Sequence, residues 1–296
     1  MPIYVKNAGS WSASDRIYIK ENGSWQEAKE VWVKNAGTWS RAHLRILELT
    51  IATNTSSYDV KAASIAAGWD QSSSITANVT INSGVVVSAT SNSSYALVTN
   101  TGWPAGCAIR INNNGVIAGA GGSGGNGGNA TQGTAFLGTP GNGGGTALLI
   151  QHPTSIYNNN IIAGGGGGGG GGGSNRNTSP PRARGGGGGG GGRSSNTPSL
   201  GGSGGAANGS GSDRPGPAGD PGTYNSGGAV YYNPATDPSA TDRSGIGGTG
   251  GTWGAAGNSG ETSESSGRPG GAAGKYIQGL ASATFVVPGT TYGTTA

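Results

Sequence analysis

One cysteine, Cys107, stands in 296 residues, which excludes an intrachain disulfide framework and any cysteine-cluster metal site. Aliphatic and phenylalanine side chains are scarce too. There are 9 Leu, 17 Ile, 13 Val and 2 Phe, about 14% of the chain and below the level of a normal globular interior. Charge is equally thin, at 10% of residues and a formal net +4, so the chain is not the self-repelling polyelectrolyte of ordinary disorder. The pI of 9.2 arises from few charges. No Lys/Arg-rich run with interleaved aromatics occurs, so nucleic acid is not an expected partner. The longest aliphatic runs, 85–87 and 148–150, fall far short of a membrane span. Met1 is followed by Pro and a Tyr/Lys/Trp-rich stretch, and the expectation is a chain neither exported by a secretory signal nor integral to a membrane.

What the chain has instead is glycine, 65 residues of it. Residues without side chains contribute nothing to an apolar core, so cohesion must come from elsewhere. Backbone hydrogen bonding is the remaining candidate.

The first 40 residues carry a repeat with a period of 14: Ile3-Tyr4-Val5-Lys6, Ile17-Tyr18-Ile19-Lys20 and Val31-Trp32-Val33-Lys34, each followed by an Asn/Gly turn and then Trp11, Trp25 or Trp39. β-Branched and aromatic residues flanking a short turn predict a hairpin. Alternation sets Tyr4, Tyr18 and Trp32 opposite their aliphatic neighbours. Four of the seven tryptophans lie in these units, and an isolated hairpin is marginal in water. Either the three hairpins pack on one another, or they form a docking surface for another protein. Three equivalent units offer one contact to each subunit of a homotrimer.

Residues 44–118 read as a small β-rich middle domain, with strands in 45–51, 74–83, 84–90 and 107–111 and a short helix at 59–67. Cys107, between apolar neighbours, is expected to be buried. Beyond residue 118 the character changes. Between 163 and 274 there are 41 glycines in 112 residues and only Leu200, Val230 and Ile246 as larger aliphatic residues. Glycine does not recur strictly every third position, which excludes collagen.

A flexible linker is one reading of such a tract. The favoured one is a sandwich of polyglycine type II helices, with three residues per turn and every N–H and C=O free to bond sideways. About ten glycine-dense runs, most of seven to eleven residues and one, 226–228, of three, fit rungs roughly 20 to 30 Å long. If successive runs alternate in direction, the connections 129–137, 174–184, 212–215, 229–244 and 261–266 share the far tip. The final segment, 275–296, returns the apolar strand 283–287 to the amino-terminal body. The expected organisation is a hairpin module at 1–43, the β-rich middle at 44–118, the glycine sandwich at 119–274 and the returning strand at 275–296. The fold class is mostly β and irregular.

Catalytic chemistry finds no foothold. His43 and His152 have no ligand partners at metal spacing, and Gly119-Ala120-Gly121-Gly122-Ser123-Gly124 matches a phosphate-loop pattern only as any glycine tract does. No enzyme, metal or cofactor is expected. Recognition is better served. All seven cations between 163 and 274 are Arg, and Arg176, Arg182, Arg184, Arg214 and Arg243, with Tyr231, Tyr232, Asp237, Glu261 and Glu264, fall in the tip connections. Arg193 and Arg268 complete the set, and Tyr224 and Trp253 are further aromatics in connections. Arg, Tyr, Ser and Asn on the loops of a rigid scaffold make a binding surface. Solubilising the slab is the plainer role for the same arginines.

The segments Val79-Thr80-Ile81-Asn82-Ser83-Gly84-Val85-Val86-Val87, Ala96-Leu97, Gly102-Trp103-Pro104-Ala105-Gly106 and Ile109-Arg110-Ile111-Asn112-Asn113-Asn114-Gly115-Val116-Ile117-Ala118-Gly119, with an echo at Asn158-Asn159-Asn160-Ile161-Ile162-Ala163-Gly164, resemble the distal tail-fibre adhesins of T-even-like bacteriophages. The resemblance implies a virion protein attached, one copy per trimer, to the distal protein of the long tail fibre. It implies fibre attachment through the region of Tyr4, Trp11, Tyr18, Trp25, Trp32 and Trp39, and loops that bind an outer-membrane protein or lipopolysaccharide. A fibre-assembly chaperone and an ice-binding glycine-helix protein are the alternative readings.

Overall fold

In the computed structural model, residues 3–7, 10–14, 17–28, 30–35, 37–131, 133–178, 181–194, 207–208, 215–223, 226–230 and 244–296 are described. Among the described residues the fold is mostly β, with one α-helix, Val60–Ala66, whose N-terminus is capped by the Asp59 carboxylate on the Ala62 N–H.

Three parallel ladders form the apolar body. One runs through Thr38–Ile51, Ile75–Ile81, Ala108–Asn113, Thr154–Asn158 and Ala283–Val287. A second joins Thr55–Ser56, Val86–Ser88, Val116–Ala118, Ile161–Ala163 and Thr290–Tyr292. The third joins Tyr58–Asp59, Leu97–Val98, Leu148–Leu149, Lys275–Gln278 and Thr294–Thr295. Each circuit of the chain contributes one strand to each ladder, so the body is a three-faced parallel solenoid of five coils. The middle domain expected at 44–118 supplies only part of it. Residues 146–163 and 275–295 complete it, because a parallel sheet needs partners returned from far along the chain.

Inside the solenoid like residues stack on like. Leu49, Val79, Ile111, Ile156 and Phe285 follow one another across the first ladder, and Ile75, Ala77, Val79 and Ile81 are fully buried on one side of their strand. At the corner after this ladder the buried Asn113 donates from Nδ2 to Asn158 Oδ1 at 2.8 Å, and Asn158 Nδ2 donates to the carbonyls of Pro288 and Thr290. The two motifs Asn113-Asn114-Gly115 and Asn158-Asn159-Asn160 are therefore the same corner in successive coils. A second corner stacks Trp69 on Trp103 at 4.5 Å and Trp103 on His152 at 5.7 Å. His152 bonds the Cys107 carbonyl there, and Cys107 is buried.

The glycine-rich tracts are two insertions at a third corner, between the second- and third-ladder strands of coils three and four. In the second insertion lies the ten-glycine run 164–173. All ten of its N–H groups donate, and all ten of its carbonyls accept, at 2.7–3.0 Å. Its partners change with a period of three. Gly165, Gly168 and Gly171 donate to Gly145, Asn142 and Thr139; Gly166, Gly169 and Gly172 donate to Arg193, Gly190 and Gly187; Gly167, Gly170 and Gly173 donate to Ala255, Asn258 and Glu261. The carbonyls of Gly165 to Gly173 accept from three further runs, 122–128, 245–251 and 268–274, and that of Gly164 accepts from Gly254. Six neighbours thus surround one buried run. A Cβ on Gly168 would fall inside the Ser123 carbonyl, and one on Gly169 inside the Gly248 carbonyl. Close approach of backbones, not chain flexibility, demands glycine here.

Candidate functional site

The amino-terminal units fold as antiparallel hairpins: Ile3–Asn7 with Ser10–Ser14, Tyr18–Glu21 with Ser24–Glu27, and Glu30–Asn35 with Thr38–Ile51. Each sets the same cross-strand pair opposite one another, Lys6 with Trp11, Lys20 with Trp25 and Lys34 with Trp39. In the third hairpin the Lys34 ammonium lies 5.7 Å from the Trp39 ring centroid, a cation–π contact. Tyr18 is 49%, Trp25 68%, Trp32 49% and Trp39 61% exposed. These large aromatic side chains stand in water on the hairpins. The side chains of Tyr4 and Trp11 lie outside the described residues, although their strands are described.

The glycine array has two poles. At the solenoid pole Trp253 is buried against Val116, Ala118 and Ala163, with Val86 and Ile161 beside them. The Arg193 guanidinium sits 3.7 Å above its ring, and Tyr292 packs at 6.4 Å. Trp253 and Arg193, counted from sequence among recognition residues, are here the clamp between slab and solenoid. Their connections fall at the near pole because the runs that precede them travel toward the body.

The opposite pole gathers three described connections. Ala130–Thr131 and Thr134–Ala135 form a hairpin, which Ala207–Asn208 joins in parallel. Asn175–Thr178 and Pro181–Arg184 form a second hairpin beside it, carrying Arg176, Arg182 and Arg184 in its backbone. The third is the turn 261–266.

Two buried serines lock these loops together. Ser174 Oγ accepts from the Phe136 N–H and donates to the Phe136 carbonyl, both at 2.9 Å. Ser265 Oγ donates to the same carbonyl at 2.8 Å and accepts the Ser174 N–H at 2.7 Å. Glu261 is exposed and accepts the Ile246 N–H at 3.4 Å, and Glu264 is exposed beside it. Phe136 and Leu137 stand 48% and 52% exposed at this pole; neither was singled out from sequence, although their place between hairpin and glycine run was the available signal. Arg214, Tyr231, Tyr232, Asp237 and Arg243 lie outside the described residues. Among the described residues no three His, Cys, Asp or Glu side chains cluster as metal ligands, and no helix is long and apolar enough to cross a membrane.

The described residues thus form a parallel solenoid with exposed aromatic hairpins at one end of the chain and interlocked polar loops at the pole of an inserted glycine array. The chain belongs to the phage tail fibre adhesin Gp38 family, whose model matches residues 47–296. Its fold is that of a chain in the crystal structure of the gp37-gp38 adhesin tip complex of the bacteriophage S16 long tail fiber, at 21% identity and a TM-score of 0.54 over 86% of this chain and 84% of that one. No curated protein matches it. The protein is a phage tail fibre adhesin.

Proposed function

We propose that the adhesin docks on the distal protein of a trimeric long tail fibre through its three hairpins, one copy per trimer, and binds a host outer-membrane protein or lipopolysaccharide through the far-pole loops. As a tail-fibre adhesin it is a component of the virion. The array that separates the two functions is a sandwich of polyglycine type II helices. Supporting this last point is the three-residue alternation of bonding direction along 164–173, the turn repeat of that helix.

The observation that carries the functional reading is the serine lock. Ser174 and Ser265 tie three loops from distant parts of the chain to one carbonyl, which holds a recognition surface in place before it meets a ligand and lowers the ordering entropy of binding. The solved neighbour is itself a complex of two proteins at a fibre tip, and its counterpart here would meet the exposed aromatic face of the hairpins. Adsorption of the purified protein to bacteria tests the reading. Exchanging 174–184 and 229–244 for loops of a relative redirects host range if the far pole recognises; an unchanged host range removes recognition from that pole.

A further inference from the structure

The outward face of the first ladder is a second surface with a chemistry of its own. Its side chains alternate with the buried ones along each strand, giving Glu48 and Thr50, then Thr76, Asn78 and Thr80, then Arg110 and Asn112, then Ser155 and Tyr157. All are exposed or half-buried. Asn78 Nδ2 donates to Glu48 Oε2 at 2.6 Å, and Asn112 Nδ2 donates to Asn78 Oδ1 at 2.8 Å. The Arg110 guanidinium stands 5.5 Å from the Tyr157 ring centroid. These contacts hold the amides and the aromatic ring in fixed orientations across four coils. In-register strands repeat them at about 4.8 Å along the solenoid axis.

We propose that this face binds a neutral polysaccharide strand of the bacterial envelope, lying along the solenoid axis. The inference rests on the protein's role at the host surface but not on which loops recognise the receptor. Among the described residues, large aliphatic side chains stand only at the borders of the face, Ile46 and Val286, so no continuous apolar patch marks it for a protein partner. One guanidinium is balanced by one carboxylate, which offers a polyanion no net attraction. Amides, a carboxylate, a guanidinium and hydroxyls together donate to and accept from pairs of sugar hydroxyls, and Tyr157 adds aromatic surface with a polar tip. A linear glycan meets corresponding groups coil after coil, so weak contacts add as in a multivalent ligand.

Native gels cast with lipid-free polysaccharides, released by mild acid from lipopolysaccharides of several serotypes, test this on the full chain. At least one polysaccharide retards the wild-type protein. The double variant R110A/N112A weakens that retardation by about tenfold, the effect of losing a charge-assisted hydrogen bond. A protein with 174–184 exchanged keeps the retardation in full, although its adsorption to cells changes. Should the double variant unfold at a lower temperature, R110K/N112S supplies the same comparison with the strand packing intact. No retardation by any polysaccharide, equal retardation of the face variants, or loss of retardation in the loop exchange would each overturn the proposal. Failure of host-range redirection with retardation intact would instead remove only the loop reading.

Discussion

The solenoid and the glycine array are held by opposite means within one chain. In the solenoid, ladders such as Leu49-Val79-Ile111-Ile156-Phe285 bury apolar side chains, and cohesion follows the area removed from water. In the array the run 164–173 buries no side chain at all, and its cohesion is twenty lateral main-chain bonds, eighteen of them to six neighbouring runs and two, from Gly164, to Tyr292 and Gly254. Each such bond is worth only about 1 kcal/mol net, and ordering each glycine costs about as much or more. A single rung would not hold; six around one do. The difference teaches that glycine content by itself does not separate a flexible linker from a rigid platform. What separates them is whether enough runs of matched length return to bond one another.

Substitutions at equivalent depth should therefore fail for different reasons in the two regions. The largest effect is expected from Gly168→Val in the array. Its Cβ would overlap the Ser123 carbonyl, so the array opens while the solenoid persists, seen in limited proteolysis as cleavage confined to the glycine tracts. Next is Trp253→Ala at the junction, which empties the slot between Arg193, Tyr292 and the second ladder. A loss of about 3–5 kcal/mol is expected in denaturant unfolding. Ile111→Ala, inside the solenoid, leaves a cavity and a loss of about 2–5 kcal/mol, with no change in protease sensitivity of the array beyond that global loss. Asn158→Ala breaks the buried corner ladder and leaves the Pro288 and Thr290 carbonyls without their donor. Its expected loss is about 1–3 kcal/mol by the same measurement. Asn258→Ala removes only the exposed rung to Thr249 and should change stability by less than about 0.5 kcal/mol. Equal damage from Asn258→Ala and Gly168→Val would erase the distinction between backbone and side-chain cohesion.

Much of this architecture was legible in the residues. The 14-residue repeat spelled out three hairpins, alternation placed the strand Ile75–Ile81, and the shared face of Val60, Ala63, Ser64 and Ala67 announced the helix, whose cap at Asp59 the structure adds. The solenoid itself was hidden. Its partners are non-local, and the inserted run 119–147 separates the matching corners at Asn113 and Asn158, so the coil repeat looked like a motif and not like a period. The packing of the array left a signal that went unused. Side chains survive at every third position of its outer runs, as in Ala120, Ser123 and Asn126, or Ile246, Thr249 and Thr252, because one direction in three points away from the neighbours. The candidate site was legible as a pole, through the alternation of run direction. Trp253 and Arg193, which share the residue types of the tip loops, lie in connections that the same alternation leaves out of the tip. The serine lock carried no sequence signal, since Ser174 and Ser265 are ordinary residues made special by a contact across 91 positions.

Amide hydrogen exchange across 164–173 tests the central claim most directly. Lateral bonding of every N–H in the run predicts ten consecutive glycine amides protected as strongly as those of Ile109 and Ile111 in the solenoid. Exchange of those glycines at the rate of an unstructured peptide, while the solenoid stays protected, would contradict it.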